Sequence, residues 1–198
     1  MTQIWTGVGS RKTPRFICDL MYQYATLQKG IFRSGGASGP DDYFERGAVN
    51  CRRDIFLPRK NMFGKHGPIY TYIYTEQQWK FAKKIAQDLY PILFPTLLIE
   101  QFMTRNVFEV LGVCHSNKTV NPSDYVICWT PDGCRTIKEY RYGITGGTGM
   151  AIMVADKFDV PVYNMKRRKT LKQVVGYLRD HGVYVDDKQY YQHLQGSL

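Results

Sequence analysis

Apolar positions along the chain switch between two periods. Short apolar or alternating runs occur at "IWTGVGS" (4–10), "IFRSGG" (31–36), "DIFLPRK" (54–60), "DYVICWT" (124–130) and "PVYNM" (161–165), and these read as strands. "DYVICWT" is apolar and β-branched, the pattern of a strand buried on both faces. Between the runs the period lengthens. In 14–30, Phe16, Leu20, Tyr24 and Leu27 fall on one helical face, Pro14 suits the first turn and Gly30 stops the helix. Helical spacing also predicts helices over 40–53, 76–90, 97–113, 148–160 and 170–182.

Three segments break this rhythm. Residues 61–75, "NMFGKHGPIYTYIYT", are punctuated by Gly64, Gly67 and Pro68 and read as an insertion or lid. Residues 131–147 read as a loop with room for a hairpin. Residues 183–198 are polar and tyrosine-rich and read as a loosely held C-terminal tail. The remainder, 1–182, reads as one domain. Strands alternating with helices imply an α/β fold with a mainly parallel sheet covered on both faces. Ligands in such folds bind beyond the carboxyl ends of the strands. Three loops rich in Gly, Ser, Thr or Pro leave strands at that edge: 7–14, 34–40 and 130–148.

Each loop has a bland reading and a chemical one. "GVGSRKTP" (7–14) is either a plain turn into a helix or an anion contact through Ser10, Arg11, Lys12 and Thr13; its G-x-G lacks the third glycine of a dinucleotide fingerprint. In "SGGASGPDD" (34–42), Ser38 with Asp41 fits an S-x-x-D helix cap and Pro40 suits the first helical position. Gly35 and Gly36 would equally let a ligand reach the main chain. Asp41 and Asp42 would repel a phosphate there but could accept hydrogen bonds from a ribose or base. "TGGTGMAI" (145–152) has no competing carboxylate, so Gly146, Gly147, Thr148 and Gly149 make the better anion cradle, unless they serve only close packing. Arg105 on an otherwise apolar helix either caps a carboxylate or points into a polar cleft.

Charge narrows the partners. The 198 residues carry 27 Lys and Arg against 17 Asp and Glu, a net charge of +10, which favours anionic partners. The run "KRRK" (166–169) is either a solvated face or a contact surface. Five scattered cysteines without a CxxC pair favour reduced thiols over disulfides or a metal; Cys114 beside His115 is the one weak metal hint. No apolar run reaches the roughly 18 residues of a membrane span, and residues 1–20 lack a signal-peptide pattern. A soluble, cytoplasmic protein without membrane association is the expectation.

The ordered set "GVGSRKTP", "SGGASGPDDYFERGA", "MTRNVFEVLG", "DYVICWT", "GGTGMAI" and "VPVYNM" resembles the SLOG superfamily of Rossmann-like proteins, over residues 4 to 165. That superfamily includes the DNA-processing protein DprA and the LOG-type nucleotide phosphoribohydrolases. Gly9, Ser10, Arg11, Ser34, Gly35, Ala37, Gly39, Asp41, Arg105 and Asn106 match DprA-like positions. The resemblance implies a Rossmann-like three-layer sandwich and a nucleotide-type ligand; no other cofactor is indicated, and no metal is expected from the cysteine spacing. Its candidate ligand-binding set is Gly9, Ser10, Arg11, Ser34, Gly35, Gly36, Ala37, Asp41, Arg105, Gly146, Gly147, Thr148 and Gly149. Tyr70, Tyr72, Tyr74 or Trp129 are candidates to stack a base.

The chain departs from LOG enzymes where Met150, Ala151 and Ile152 follow the glycine loop in place of a glutamate. Glu45, Glu109 and Asp132 are the possible substitutes. The expected function is therefore binding of a nucleotide or nucleotide-derived signal without chemistry, as a sensor or sequestering protein. The alternatives are a DprA-like single-stranded DNA binder and an N-glycosidic hydrolase. Self-association and a phage or mobile-element setting are further expectations.

Overall fold

A computed structural model describes residues 2–195. Six parallel strands form one sheet in the order β4-β3-β2-β1-β5-β6. They are β1 (Ile4–Gly9), β2 (Gly30–Ser34), β3 (Cys51–Phe56), β4 (Tyr70–Thr71), β5 (Tyr125–Trp129) and β6 (Val162–Asn164). Helices cover both faces, giving a Rossmann-like three-layer α/β sandwich. On one face lie α1 (Arg15–Leu27), α2 (Pro40–Gly47), α6 (Arg168–Asp180) and α7 (Asp187–Gln195), packed over Trp5, Phe32, Ile55 and Ile127. On the other lie α3 (Glu76–Leu89), α4 (Leu97–Leu111) and α5 (Thr148–Lys157), packed over Val8, Phe56, Val126 and Cys128. Successive strand residues point to opposite faces, so each strand feeds both cores.

The chain runs outward from β1 through β2, β3 and β4, then returns to place β5 against the other side of β1. Trp5 pairs with Phe32 on β2 and with Tyr125 on β5. This reversal creates a switch point at the carboxyl ends of β1 and β5, where α/β sheets open a crevice. The Ser10 N–H donates to the Trp129 carbonyl at 3.0 Å and marks the last link between the two strands.

Side-chain caps set the starts of two helices. Thr75 caps α3 by accepting from the Gln78 N–H, and the Gln78 side chain accepts in return from the Thr75 N–H. Thr96 caps α4 by accepting from the Ile99 N–H. Three expectations need correction. The helix over 40–53 ends at Gly47, where it crosses α1 so closely that a Cβ would stand 2.3 Å from the Tyr22 carbonyl oxygen. Cys51–Phe56 is then β3, although Arg52, Arg53 and Asp54 make it polar. No hairpin forms in 131–147; that stretch holds one 3₁₀ turn, Ile137–Glu139.

Two segments outside the predicted elements join the sandwich. Residues 61–75 contain β4, whose Tyr70 and Thr71 pair in parallel with Ile55 and Phe56. Residues 183–195 are not a loose tail: Val185, Tyr190 and Leu194 are buried in the α1–α6 core. Tyr190 and Leu194 sit four apart, on one face of a helix that is otherwise polar. The end of the predicted tail, residues 196–198, lies outside the described residues. No helix among the described residues is long and apolar enough to cross a membrane.

Candidate functional site

A cleft of about 560 Å³ opens at the switch point. Its base is Val8 and Gly9 at the end of β1. The β1–α1 loop contributes Ser10, Arg11 and Lys12, and the β2–α2 loop contributes Ala37, Ser38 and Asp41. Helix α4 supplies one wall through Phe102, Met103, Arg105, Asn106 and Glu109. The β5–α5 loop closes the other side with Tyr140, Tyr142, Gly146, Gly147 and Thr148.

The β2–α2 loop is shaped from within. Ser34 is fully buried and its hydroxyl donates to the Gly7 carbonyl at 2.8 Å. A Cβ on Gly35 would stand 1.3 Å from Arg105 Nη1 and 2.2 Å from Glu109 Oε1. Gly35 is thus the space in which the Arg105–Glu109 ion pair sits. Gly36, at φ +65°, lies against Ile55 and Leu57. None of Ser34, Gly35 and Gly36 lines the cleft. Ser38 does not cap α2; Gly39 at φ +95° occupies the cap position, and no side chain bonds there.

Asp41 instead ties two loops together. Its Oδ1 accepts from the Gly9 N–H at 3.2 Å and its Oδ2 from the Ala37 N–H at 3.3 Å. Burial raises this carboxyl from its ordinary 3.8 to about 6, against the pull of Arg105, the two N–H donors and Lys65. Burial lowers the Arg105 guanidinium, and Asp41 counters that. Arg105 Nε is buried without a hydrogen-bond partner. Both readings of Arg105 therefore hold: it pairs with a carboxylate, and it lines the cleft.

The β5–α5 loop is different. Gly146 takes φ +78° and a Cβ there would meet nothing within 4 Å. The Gly147 carbonyl accepts from Asn106 Nδ2 at 2.9 Å, which pins the loop to α4. The Gly147 and Thr148 N–H groups have no acceptor among the described residues. Gly149 is set back from the cleft against Tyr140, whose ring a Cβ would approach to 2.4 Å. Asp132 braces this loop by accepting from Thr145 Oγ1 at 2.6 Å. Burial would raise the Asp132 carboxyl, but hydrogen bonds from Thr145, Thr130 and Cys134 bring it below its ordinary value.

Of the three carboxylates considered for hydrolysis, only Glu109 lines the cleft, and it is held by Arg105. Glu45 accepts from Lys65 Nζ at 2.6 Å and from the Tyr70 hydroxyl at 2.5 Å. Asp132 is committed to its loop. Among the described residues no group of three His, Cys, Asp or Glu side chains is placed to hold a metal ion. The Cys114 thiol is buried, and burial raises it to about 11.

No family model, curated protein or solved structure matches this chain.

The aromatic side of the cleft is not the one expected. Tyr74 is stacked on Phe108 at 4.6 Å and donates to the Leu57 and Thr71 carbonyls. Tyr70 is bound to Glu45, Tyr72 packs on the α1–α6 core and Trp129 is 7% exposed. The cleft is lined instead by Phe63, Phe102, Tyr90, Tyr140 and Tyr142. Phe63 stacks on Phe102 with centroids 6.0 Å apart, and Tyr90 meets Tyr142 edge-on at 5.9 Å. For Phe63, Tyr140 and Tyr142 the sequence signal is compositional only, a Phe or Tyr inside an irregular segment, whereas Phe102 lies on α4 and Tyr90 caps the end of α3. An aromatic side chain in a loop carries no period that would show which way it faces.

Proposed function

We propose that this SLOG-like chain binds a nucleotide or nucleotide-derived ligand in the switch-point cleft, and senses or sequesters it without breaking it. One observation carries the reading: donors for an anion and exposed aromatic rings share a single cleft. Arg11 and Lys12 are exposed at its edge without an ion-pair partner among the described residues. The Gly147 and Thr148 N–H groups at the start of α5 offer backbone donors where the helix dipole favours an anion. The rings supply stacking surface. The 560 Å³ volume lies within the span of small-ligand sites. The carboxylates support binding without cleavage: Asp41 and Glu109 are both engaged in holding the protein's own groups.

Calorimetric titration with a panel of mono-, di- and cyclic nucleotides tests this. Saturable heat with at least one member is expected. No heat and no thermal shift across the panel would sink the proposal.

A second reading rests on where the cations lie. Arg11, Lys12, Arg59, Lys60, Arg168 and Lys169 are exposed and follow the carboxyl ends of β1, β3 and β6. Arg168 and Lys169 stand in the first turn of α6, where the helix dipole disfavours positive charge, so an anionic partner would relieve them. That edge suits a single strand of DNA. Affinity for oligo-thymidylate that falls steeply with salt supports this reading; no binding at low salt rejects it.

A further inference from the structure

The geometry points to a ligand with two planar rings joined by an anionic bridge, a dinucleotide-class small molecule lying across the cleft. This names the ligand class of the proposed nucleotide site and rests on that reading. The strand order sets two ring-bearing loops apart. Phe63 lies in the loop after β3, two strands to one side of β1. Tyr142 lies in the loop after β5, one strand to the other side. Strands are spaced by about 4.8 Å, so the two loops rise from points roughly 14 Å apart. Between those two loops stands the β1–α1 loop, with Arg11 and Lys12, while the Gly147 and Thr148 N–H groups line the cleft from the same loop as Tyr142. The order across the cleft is therefore ring, anion donors, ring.

Each ring site has a face to offer. Phe63 is 42% exposed and Tyr142 53% exposed, although both line the same cleft. Each is backed by a second ring from the body of the protein, Phe102 on α4 and Tyr90 just after α3. A ligand with one base covers one of these sites and leaves the other in water. Two bases joined through phosphates cover both, with the bridge at the donors.

Phe63 is held in an unusual way. It has a left-handed backbone, φ +60°, which a bulky side chain seldom adopts. Glycines at 64 and 67 follow, where a Cβ would meet nothing within 4 Å. Lys65 anchors the same turn to α2 through Glu45 at 2.6 Å and Asp42 at 3.4 Å. Met62 packs against the core beside it, and with the turn so held the Phe63 ring lines the cleft at a cost in backbone strain. That cost has no purpose in the sandwich core, to which Phe63 does not belong.

The cleft favours a small molecule over a strand because its ring sites are two, one at each side, and its volume suits one ligand. The test compares AMP, ADP and diadenosine diphosphate by calorimetry on the whole chain. Diadenosine diphosphate carries less charge than ADP, so a gain in its affinity reports the second ring. Base stacking on an aromatic side chain is worth about tenfold in affinity. The two-ring ligand is expected to bind about tenfold tighter than either single-ring one. Phe63→Ala and Tyr142→Ala should each lose about tenfold for diadenosine diphosphate, Tyr142→Phe should lose little, and only one of the two alanine variants should weaken AMP. Unchanged thermal midpoints would show the variants fold.

If AMP and ADP bind as tightly as the two-ring ligand, this inference falls while the nucleotide reading stands. If none of the three binds and the wider panel is also silent, both fall. Deca-thymidylate binding tighter than diadenosine diphosphate overturns the inference in favour of a strand.

Discussion

The chain has two glycine loops that enter helices at the same edge of the sheet, and it uses them in opposite ways. In the β2–α2 loop the bare backbone is filled by the protein itself. Gly35 makes room for Arg105 and Glu109, Gly36 rests on Ile55 and Leu57, and Asp41 takes up two N–H groups. In the β5–α5 loop the bare backbone stays open: Gly146 has nothing near it, and the Gly147 and Thr148 N–H groups are unclaimed among the described residues. Similar composition therefore does not mean similar use. What separates the loops is a carboxylate in the first helical turn, present as Asp41 and Asp42 in α2 and missing from α5. A resident carboxylate satisfies the donors that an incoming anion would otherwise find.

The sharpest way to break this contrast is a methyl group in each loop. Gly35→Ala drives a Cβ into a buried ion pair and should cost about 4 kcal/mol in denaturant unfolding. A loss below about 1 kcal/mol would show that the pair can move aside and that Gly35 is no packing device. Arg105→Met should cost about 3 kcal/mol, since it leaves Glu109 and Asp41 buried without their cation. The same change should raise the Asp41 carboxyl above its value of about 6, because Arg105 pulls it down.

Asp41 also gives the contrast a pH signature. Its carboxyl is higher in the folded chain, about 6, than its ordinary 3.8. The folded state then holds the proton more tightly, so this group's contribution is fully present below pH 3.8 and is lost as pH rises through about 6. Stability of the natural chain relative to Asp41→Asn should fall across that window by about 3 kcal/mol. A flat difference between the two curves would mean that Asp41 is not the titrating group. In the open loop the effects should be small. Gly146→Ala should cost about 1 kcal/mol, from its positive φ alone. Gly147→Ala, with helical φ and its nearest neighbour Met103 at 3.5 Å, should stay within about 0.5 kcal/mol.

Much of the sandwich was legible because its strands and helices obey strong periods. β5 could be read from five adjoining apolar or aromatic residues, and α3 from its cap and amphipathic spacing. β4 could not, since two residues, Tyr70 and Thr71, have no period to recognise. α7 was hidden by its polar composition, in which only Tyr190 and Leu194 mark the buried face. Gly9, Ser10, Arg11, Ala37, Asp41, Arg105, Gly146, Gly147 and Thr148 line the cleft. Ser34, Gly35, Gly36 and Gly149 lie behind that surface, because small residues suit support and exposure equally well. The pairing of Arg105 with Glu109 was available from their i, i+4 spacing on one helix.

The position of β1 has a further consequence, for the order of events during synthesis. β1 is central in the sheet, yet its two neighbours arrive at very different times. Trp5 can meet Phe32 on β2 soon after both emerge, but its other partner, Tyr125 on β5, is 120 residues away. At about 5 to 20 residues per second, one edge of the central strand waits roughly 6 to 24 s for its neighbour. During that interval β1, β2 and β3 present an unpaired edge and half-covered apolar faces. Slowed translation between β3 and β5 should therefore raise the aggregated fraction.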